Sequence, residues 1–471
     1  MPRFIFTTTA LLGLLAGCAA PDLGPKPVPT APDSLASQAS LAGPVGAWPT
    51  EGWWRTWGDP QLDALIAEGL AGSPDIAAAA ARVRAAEALA QQAGAALLPR
   101  VGVDAGAGGV QQSKTMGIPP QFVPDGIQDT GHVAGSFAFD LDLWGKNRAA
   151  LAAATSDAEA ARVDAAQARL MLTTGIAAAY ADLAGQYEAL DVAKEALRVR
   201  GASARLSADR TRAGLDNRAS ASQAESRAAS ARGDIAALDE AIALTRHRLA
   251  ALVGAGPDRG DAIARPALGA PEVGIPAGAG IALVGRRPDI VAARLRAEAA
   301  AKRIDVARAD YYPNISLSAL VGFQSLGLGN LFDSGSKYGN GGAAISLPIF
   351  EGGRIEGRYR GARATYDAAV ATYDRTLLDA LRDVADIVAS RSATERQLAD
   401  RRAALQSAAD AANLAGLRYR AGLSNQLVQL TAEDSMVALS RAVADLEARE
   451  RTLDIALIRA LGGGYQAEGE N

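Results

Sequence analysis

The sequence predicts an α+β membrane chain in which two copies of one unit each contain two amphipathic strands and one long helical hairpin. The first observation is internal repetition, because 212–215 and 420–423 both read R-A-G-L and are 208 residues apart. Second, four short segments alternate apolar and polar residues, which is typical of strands with one polar face. Third, a very long proline-free segment leads into each R-A-G-L sequence, which indicates two rod-like helices.

The amino terminus predicts export and a lipid anchor. Arg3 precedes an apolar run that is too short to span a bilayer, and small residues precede Cys18. The sequence L-A-G-C resembles a bacterial lipobox, which implies cleavage before Cys18 and lipidation at that residue. The alternative is an ordinary signal peptide with an incidental cysteine. We predict a signal peptide at 1–17 and a lipidated tether at 18–50, extended because it is rich in Pro, Ala, Gly and Ser.

The rest of the chain divides into two repeats of the same order: helix, strand, strand and helical hairpin. In the second predicted strand, Phe137 and Phe139 alternate with Ser136 and Asp140. The four predicted strands lie in 100–108, 133–143, 314–321 and 345–349. We predict a first repeat at 51–262, a linker at 263–286, a second repeat at 287–462 and a tail at 463–471.

The longest predicted helices are Lys146–Arg212 and Arg354–Arg420, each ending at an R-A-G-L turn whose glycine can adopt the left-handed conformation. A shorter helix returns from each turn to about Gly254 or Gly462. Leu439, Val443 and Leu446 have heptad-like spacing, which favours an antiparallel coiled-coil hairpin. At 1.5 Å per residue, each long helix would extend about 100 Å.

Strands of about ten residues with one apolar face suit the wall of a membrane barrel. Unpaired sheet edges are costly in lipid, so the sheet must close, yet the smallest barrels have about eight strands. Three chains with four strands each would give twelve. Aromatic residues cluster near the predicted strand ends, as expected at a bilayer interface. The alternative is a soluble hairpin packed on a helical bundle.

Composition excludes several classes of function. The net charge is -4, without the basic excess that nucleic-acid binding requires. Two histidines and one cysteine exclude a Cys/His zinc site and a disulfide within one chain. Catalytic motifs and phosphate-binding loops are absent from the sequence. We therefore predict no enzyme activity, no cofactor, no metal site and no nucleic-acid partner.

Several short motifs together resemble the TolC/OprM type of outer-membrane factor, in its lipoprotein, NodT-like branch. The motifs are W-G-D-P-Q-L at 57–62, F-D-L-D-L-W-G-K at 139–146, R-R-P-D-I at 286–290, L-P-I-F-E-G-G-R at 347–354 and R-Y-R-A-G-L at 418–423. The resemblance covers nearly all of the mature chain. It implies a homotrimeric, twelve-stranded outer-membrane β-barrel that continues as a long periplasmic α-helical barrel of coiled-coil hairpins. It also implies a periplasmic adaptor and an RND-type inner-membrane pump as partners.

Within that fold, the polar strand residues Asp104, Asp140 and Asp142 are expected to line the lumen, because charge is costly on a lipid face. For Asp140 and Asp142 the alternative is structural pairing with Lys146 or Arg148. The polar segments 109–131 and 324–340 are expected to form extracellular loops.

The far ends of the helical hairpins are expected to contact the adaptor, although the R-A-G-L turns could also act only as helix caps. They consist of Arg212, Ala213, Gly214 and Leu215, and of Arg420, Ala421, Gly422 and Leu423.

The segment after the second turn lacks the acidic residues that the family commonly carries at its periplasmic gate. We expect a constriction built from Gln429, Leu430 and Thr431, with Arg418 and Tyr419 bonding between helices.

The predicted function is that of a passive outer-membrane conduit that exports small molecules, such as drugs or toxic compounds, in a three-component efflux system. The chain would be lipid-anchored in the outer membrane, with most of its residues in the periplasm. Three alternatives remain: a conduit for type I protein secretion, a conduit for metal efflux, and a lipid-anchored coiled-coil scaffold without a pore.

Overall fold

The structure is a computed structural model that describes residues 20–271 and 273–467. The predicted signal peptide and Cys18 lie outside the described residues. The helices are α1 (Pro60–Gly72), α2 (Pro74–Ala95), α3 (Lys146–Arg212), α4 (Arg218–Leu252), α5 (Ala279–Arg286), α6 (Pro288–Ala309), α7 (Arg354–Arg420) and α8 (Gln426–Ala460). The strands are β1 (Arg100–Val110), β2 (Gln128–Leu141), β3 (Asn314–Leu326) and β4 (Lys337–Ser346).

The four strands form one antiparallel sheet in the order β1-β2-β3-β4. The register pairs even-numbered residues with even-numbered residues throughout, as Asp104 with Ala134 and Ser136 with Leu320 show. Because side chains alternate along a strand, all even-numbered residues share one face and all odd-numbered residues share the other. We call these the even face and the odd face.

The strands extend further into the predicted loops than the sequence suggested. β2 begins at Gln128, β3 continues to Leu326 and β4 begins at Lys337, so the connections are shorter than the predicted 109–131 and 324–340. The fourth strand also ends at Ser346, so Leu347 and Ile349 lie beyond it. The starts of β2 and β4 and the end of β3 were missed because they are rich in glycine and polar residues and lack apolar alternation. The error at the end of β4 is the opposite one, since Ile345, Leu347 and Ile349 alternate with polar residues or proline although the strand ends at Ser346.

The long helices α3 and α7 have the predicted bounds, 67 residues each, and the return helices α4 and α8 have 35 residues each. In the part of the chain that the structure describes, no helix is both long enough and apolar enough to cross a membrane.

The chain forms two compact units, and each takes segments from both sequence repeats. The first unit contains the sheet and the helix segments next to it, within Val83–Ala160 and Ala293–Thr372. The second contains Thr30–Arg82, Ala161–Ala292 and the chain from Tyr373 onward, and therefore both R-A-G-L turns.

The core of the second unit explains the W-G-D-P-Q-L motif. Trp57 is buried, and Asp59 caps α1 by accepting a hydrogen bond from the Gln61 amide at 2.9 Å. The hydroxyl of buried Tyr180 donates to Asp59 at 2.7 Å and accepts from the Gln61 side chain at 2.7 Å. The motif thus begins a helix and ties it to α3.

The predicted tether is extended but not detached from the rest of the chain. In the first unit, Arg363 donates to the Gly24 carbonyl at 3.1 Å, and Tyr366 donates to the Pro27 carbonyl at 2.9 Å. In the second unit, the Thr30 amide donates to Asp374 at 2.8 Å. The predicted linker at 263–286 contains α5 and forms a β-bridge with the tether at Val45 and Ile275.

Candidate functional site

The even face of the sheet holds two of the three aspartates that were expected to line a lumen. Asp104 on β1 accepts a hydrogen bond from Nε2 of His132 on β2, with 2.5 Å between the two atoms. Asp140 lies 3.6 Å from the Arg100 guanidinium. It is therefore paired with a cation, as the structural alternative predicted, but that cation is Arg100 and not Lys146 or Arg148. Both aspartates share this face with serine, threonine and asparagine residues, which makes it polar.

Asp142 does not lie on a strand, because β2 ends at Leu141. Its carboxylate accepts hydrogen bonds from the backbone amides of Asn147 at 2.9 Å and Arg148 at 3.0 Å, and from the Arg148 side chain at 3.2 Å. These contacts satisfy free amides at the start of α3. The structural alternative, pairing with Arg148, is therefore the observed arrangement for Asp142.

A second charged centre below the sheet was not predicted. Asp310, between α6 and β3, forms salt bridges with Lys146 at 2.6 Å and with Arg358 at 2.5 Å. These two salt bridges link the start of α3 to the start of α7. Burial raises the pKa of Asp310, but the two cationic partners outweigh burial and hold the pKa below its usual value. Trp144 stacks on Tyr312 beside this centre, with 4.8 Å between ring centroids.

The two R-A-G-L turns have the same geometry. Gly214 and Gly422 have φ of 74° and 75°, which side chains with a Cβ rarely adopt. The Leu215 and Leu423 amides each donate at 2.8 Å to a carbonyl five residues earlier, and this closes the helix as a Schellman motif. Both leucine side chains are exposed, so capping leaves an apolar group on each tip.

The structure corrects the predicted gate at one position. Leu430 is buried within a single chain, so it cannot form the surface of a lumen. Tyr419 packs under Arg210 of α3, with 4.9 Å from the guanidinium carbon to the ring centroid, which makes it a contact between helices as expected. Arg418 and Thr431 are exposed.

The carboxylates that follow the second turn face the inside of the chain. Glu433 accepts hydrogen bonds from Ser203 of α3 at 3.0 Å and from Gln429 at 2.7 Å. Asp434 pairs with Arg200 at 2.9 Å and with Arg227 of α4 at 3.1 Å. We call this contact between α3, α4 and α8 the polar seam.

Some buried hydrogen-bonding groups in the polar seam have no partner among the described residues. Ser207 donates to Gln426 at 3.1 Å, yet the Gln426 amide nitrogen and the Gln429 carbonyl oxygen have no partner among the described residues. Burial raises the pKa of Glu433, although the bonds from Gln429 and Ser203 oppose that rise. Sequence reasoning missed the seam, although the spacing of Arg200, Ser203 and Ser207 by three and four residues marks a polar stripe on α3.

Uncharged residues line a groove beside the polar seam. They come from α7 and the start of α8, and the groove has a volume of about 470 Å³. The lining residues are Ala408, Ala411, Leu427, Val428, Thr431, Ala432 and Ser435. Neither carboxylate of the seam reaches this groove.

A four-stranded antiparallel sheet with one polar and one apolar face is the arrangement required of the wall of an outer-membrane β-barrel. The chain belongs to the outer membrane efflux protein family, whose family model matches residues 65–255 and 282–463. Fusaric acid resistance protein FusA of Burkholderia cepacia is 38% identical over 371 residues, 74% of this chain and 67% of that protein. Multidrug resistance outer membrane protein MdtP of Escherichia coli K12 is 33% identical over 474 residues, 96% of this chain and 95% of that protein.

A solved structure gives the same result. The outer membrane protein VceC from Vibrio cholerae superposes with a TM-score of 0.85 and 42% identity, covering 89% of this chain and 100% of that one. The predicted fold class, that of a trimeric outer-membrane efflux channel with four strands per chain, is therefore confirmed. The predicted function as the outer-membrane channel of an efflux system and the predicted location in the outer membrane are also confirmed. The relatives are channel and transport proteins rather than enzymes.

Proposed function

We propose that the trimer is a passive conduit that receives small toxic organic compounds from an RND-type inner-membrane pump through a periplasmic adaptor. The observation that carries the proposal is the pair of equivalent tips, because each hairpin ends in the same turn with one exposed leucine. Two similar tips per chain, Arg212–Leu215 and Arg420–Leu423, offer an adaptor a repeated surface. Transport requires no catalytic step in this chain, and Cys18 supplies a lipid anchor.

The even face lines the lumen of the barrel in this proposal. The odd face carries Val103, Phe139 and Leu317, which suit contact with lipid. Its charged residues within the described strands, Asp129 and Lys337, lie only at the starts of β2 and β4, where charge is less costly than at mid-membrane. Asp104 and Asp140 then face water in the lumen. The outer edges of β1 and β4 have no partner strand within one chain's described sheet, so they pair with the neighbouring chains of the trimer.

The substrate class follows from the relatives, which are named for resistance to fusaric acid and to multiple drugs. A panel of drugs and dyes tests it: deletion of the gene should raise their accumulation in the cell. Unchanged accumulation across the panel would contradict drug efflux, and loss of a secreted protein or of metal tolerance instead would favour the alternative conduits.

The role of the tips is tested by Leu215→Ser and Leu423→Ser, combined in one chain. Accumulation should rise to the level of the deletion while trimers remain in the outer membrane, because an apolar docking contact is lost. Leu244→Ser is a matched control, since Leu244 is also well exposed, at 59% against 68% and 72% for the two tip leucines, but lies far from either turn in sequence. If the double variant exports as well as wild type, the tips are not the adaptor contact.

We further propose that the periplasmic constriction is uncharged. Leu427, Val428 and Thr431 supply its surface, while Glu433 and Asp434 are held in the polar seam. Divalent cations bind to clustered carboxylate oxygens, which such a constriction lacks. Purified trimers in planar bilayers should therefore conduct equally with and without millimolar divalent cations, and strong block at low concentration would exclude this gate.

A further inference from the structure

The even face of the sheet carries few charges, and their sum depends on one histidine. Its charged side chains in the described strands are Arg100, Asp104 and Asp140, which leave a net charge of -1 per chain when His132 is neutral. When His132 is protonated, the net charge is zero. The protein has only two histidines, and the other, His247, lies on α4.

His132 is held on this face by its neighbours. Its register partners are Gly106 on β1 and Gln324 on β3, and Asp104 is the charged group that faces it. A Cβ at position 106 would stand 2.6 Å from Cε1 of the ring, so the glycine makes room for the imidazole to lie across β1. The ring thereby reaches the Asp104 carboxylate, with Nε2 at 2.5 Å from Oδ1.

We propose that His132 is a specificity-determining residue of the channel, whose protonation removes the cation preference of the barrel. The proposal rests on the proposed function, because it requires the even face to line the lumen. Imidazoles change charge between roughly pH 5 and 8. Three chains contribute three such positions to one lumen, where low-dielectric walls strengthen the effect of each charge.

The test uses full-length trimers in planar bilayers of neutral lipid, under a KCl gradient of about 10 to 100 mM so that screening stays weak. The measured quantity is the reversal potential at pH 5.5 and at pH 8. In wild type, the ratio of K⁺ to Cl⁻ permeability should fall about twofold on acidification. In His132→Gln, the permeability ratio at both pH 5.5 and pH 8 should equal that of wild type at pH 8. In His132→Lys, the ratio at both pH values should equal that of wild type at pH 5.5.

Three controls separate the effect of His132 from the effects of other ionisable groups. His247→Gln removes the other histidine, and Glu433→Gln removes a buried carboxyl of the polar seam. Asp454→Asn removes a carboxyl whose pKa burial raises to about 6, beside Arg391. Each control should keep the acid shift of wild type. A wild-type ratio that does not change with pH, or a shift that persists in His132→Gln, overturns the inference while leaving the conduit intact. Membranes without current at either pH contradict the conduit itself.

Discussion

Helix α3 makes two kinds of contact near the hairpin tips: an alanine seam with α4 and the polar seam with α8. In the alanine seam, Ala204 packs against Ala224 and Ala228, and all three are buried. In the polar seam, α3 meets Glu433 and Asp434 through charged and hydroxyl groups. The first contact depends on close approach of small side chains, and the second depends on the pairing of buried charge.

The difference is sharpest at equivalent positions of the two repeats. Glu225 and Glu433 are 208 residues apart, the offset of the R-A-G-L turns. Glu225 is exposed and pairs with Arg232 at 2.7 Å, whereas Glu433 is buried. The two repeats therefore have helices of equal length and equal turns, while the two return helices, which differ at most of their aligned positions, place these glutamates in opposite environments. The alanine seam should therefore be sensitive to added volume, and the polar seam to loss of a charged partner.

The largest expected effect comes from Asp434→Ala, which leaves Arg200 and Arg227 in the polar seam without their carboxylate. The Arg200 and Arg227 side chains are only 15% and 23% exposed, and leaving them without a carboxylate should lower the free energy of unfolding by about 3 kcal/mol. Thermal unfolding of the purified trimer measures this. Ser226→Ala, at the equivalent exposed position of the first repeat, should unfold with wild-type stability. Equal stability of both variants and wild type would show that the seam charges are solvated.

A smaller loss is expected when volume is added to the alanine seam. Ala224→Leu forces a larger side chain against Ala204 and should cost about 2 kcal/mol through overpacking. The control is Ala229→Leu, because Ala229 lies on the exposed side of the same helix. Comparison of their unfolding temperatures isolates the packing effect. If Ala224→Leu unfolds no earlier than Ala229→Leu, the two helices are not in close contact there.

The sequence was sufficient for the elements that repetition and periodicity specify. The bounds of α3 and α7 followed from the absence of proline and from the R-A-G-L turns. The even and odd faces followed from alternation in Val101–Ala107 and in Ser136–Leu141. The strand ends near Lys337 could not be predicted, because glycine-rich strands have no apolar alternation to detect.

The candidate site was less accessible to sequence reasoning, because its residues depend on which neighbour each helix face meets. Leu430 belongs to a segment expected to narrow a lumen, but the orientation of its helix buries it within the chain. Asp142 looked like a strand residue because it continues the alternation of β2, although the strand ends one residue earlier. Tertiary contacts decide these positions, and local periodicity does not encode them.

The two tips should respond equally to substitution, in contrast to the two seams. Gly214→Ala and Gly422→Ala each place a Cβ in the left-handed conformation, at a cost of about 1 kcal/mol. No neighbouring atom lies within 4 Å of either added Cβ, so backbone strain is the whole effect. The unfolding temperatures of the two single variants should therefore agree. A clear difference between them would mean that the two turns have different environments in the trimer.

The smallest expected effect is a change in pH dependence at the polar seam. Because burial raises the pKa of Glu433 in the folded chain, the folded state holds this proton more tightly than the unfolded state. Stability should then fall as the pH rises above the ordinary glutamate value of 4.5 and toward the raised folded-state pKa. Glu433→Gln should flatten this part of the curve of unfolding temperature against pH, whereas Glu225→Gln should leave its shape unchanged. A wild-type curve that rises over the same range, with Glu433→Gln following it, would mean that water reaches Glu433 in the trimer.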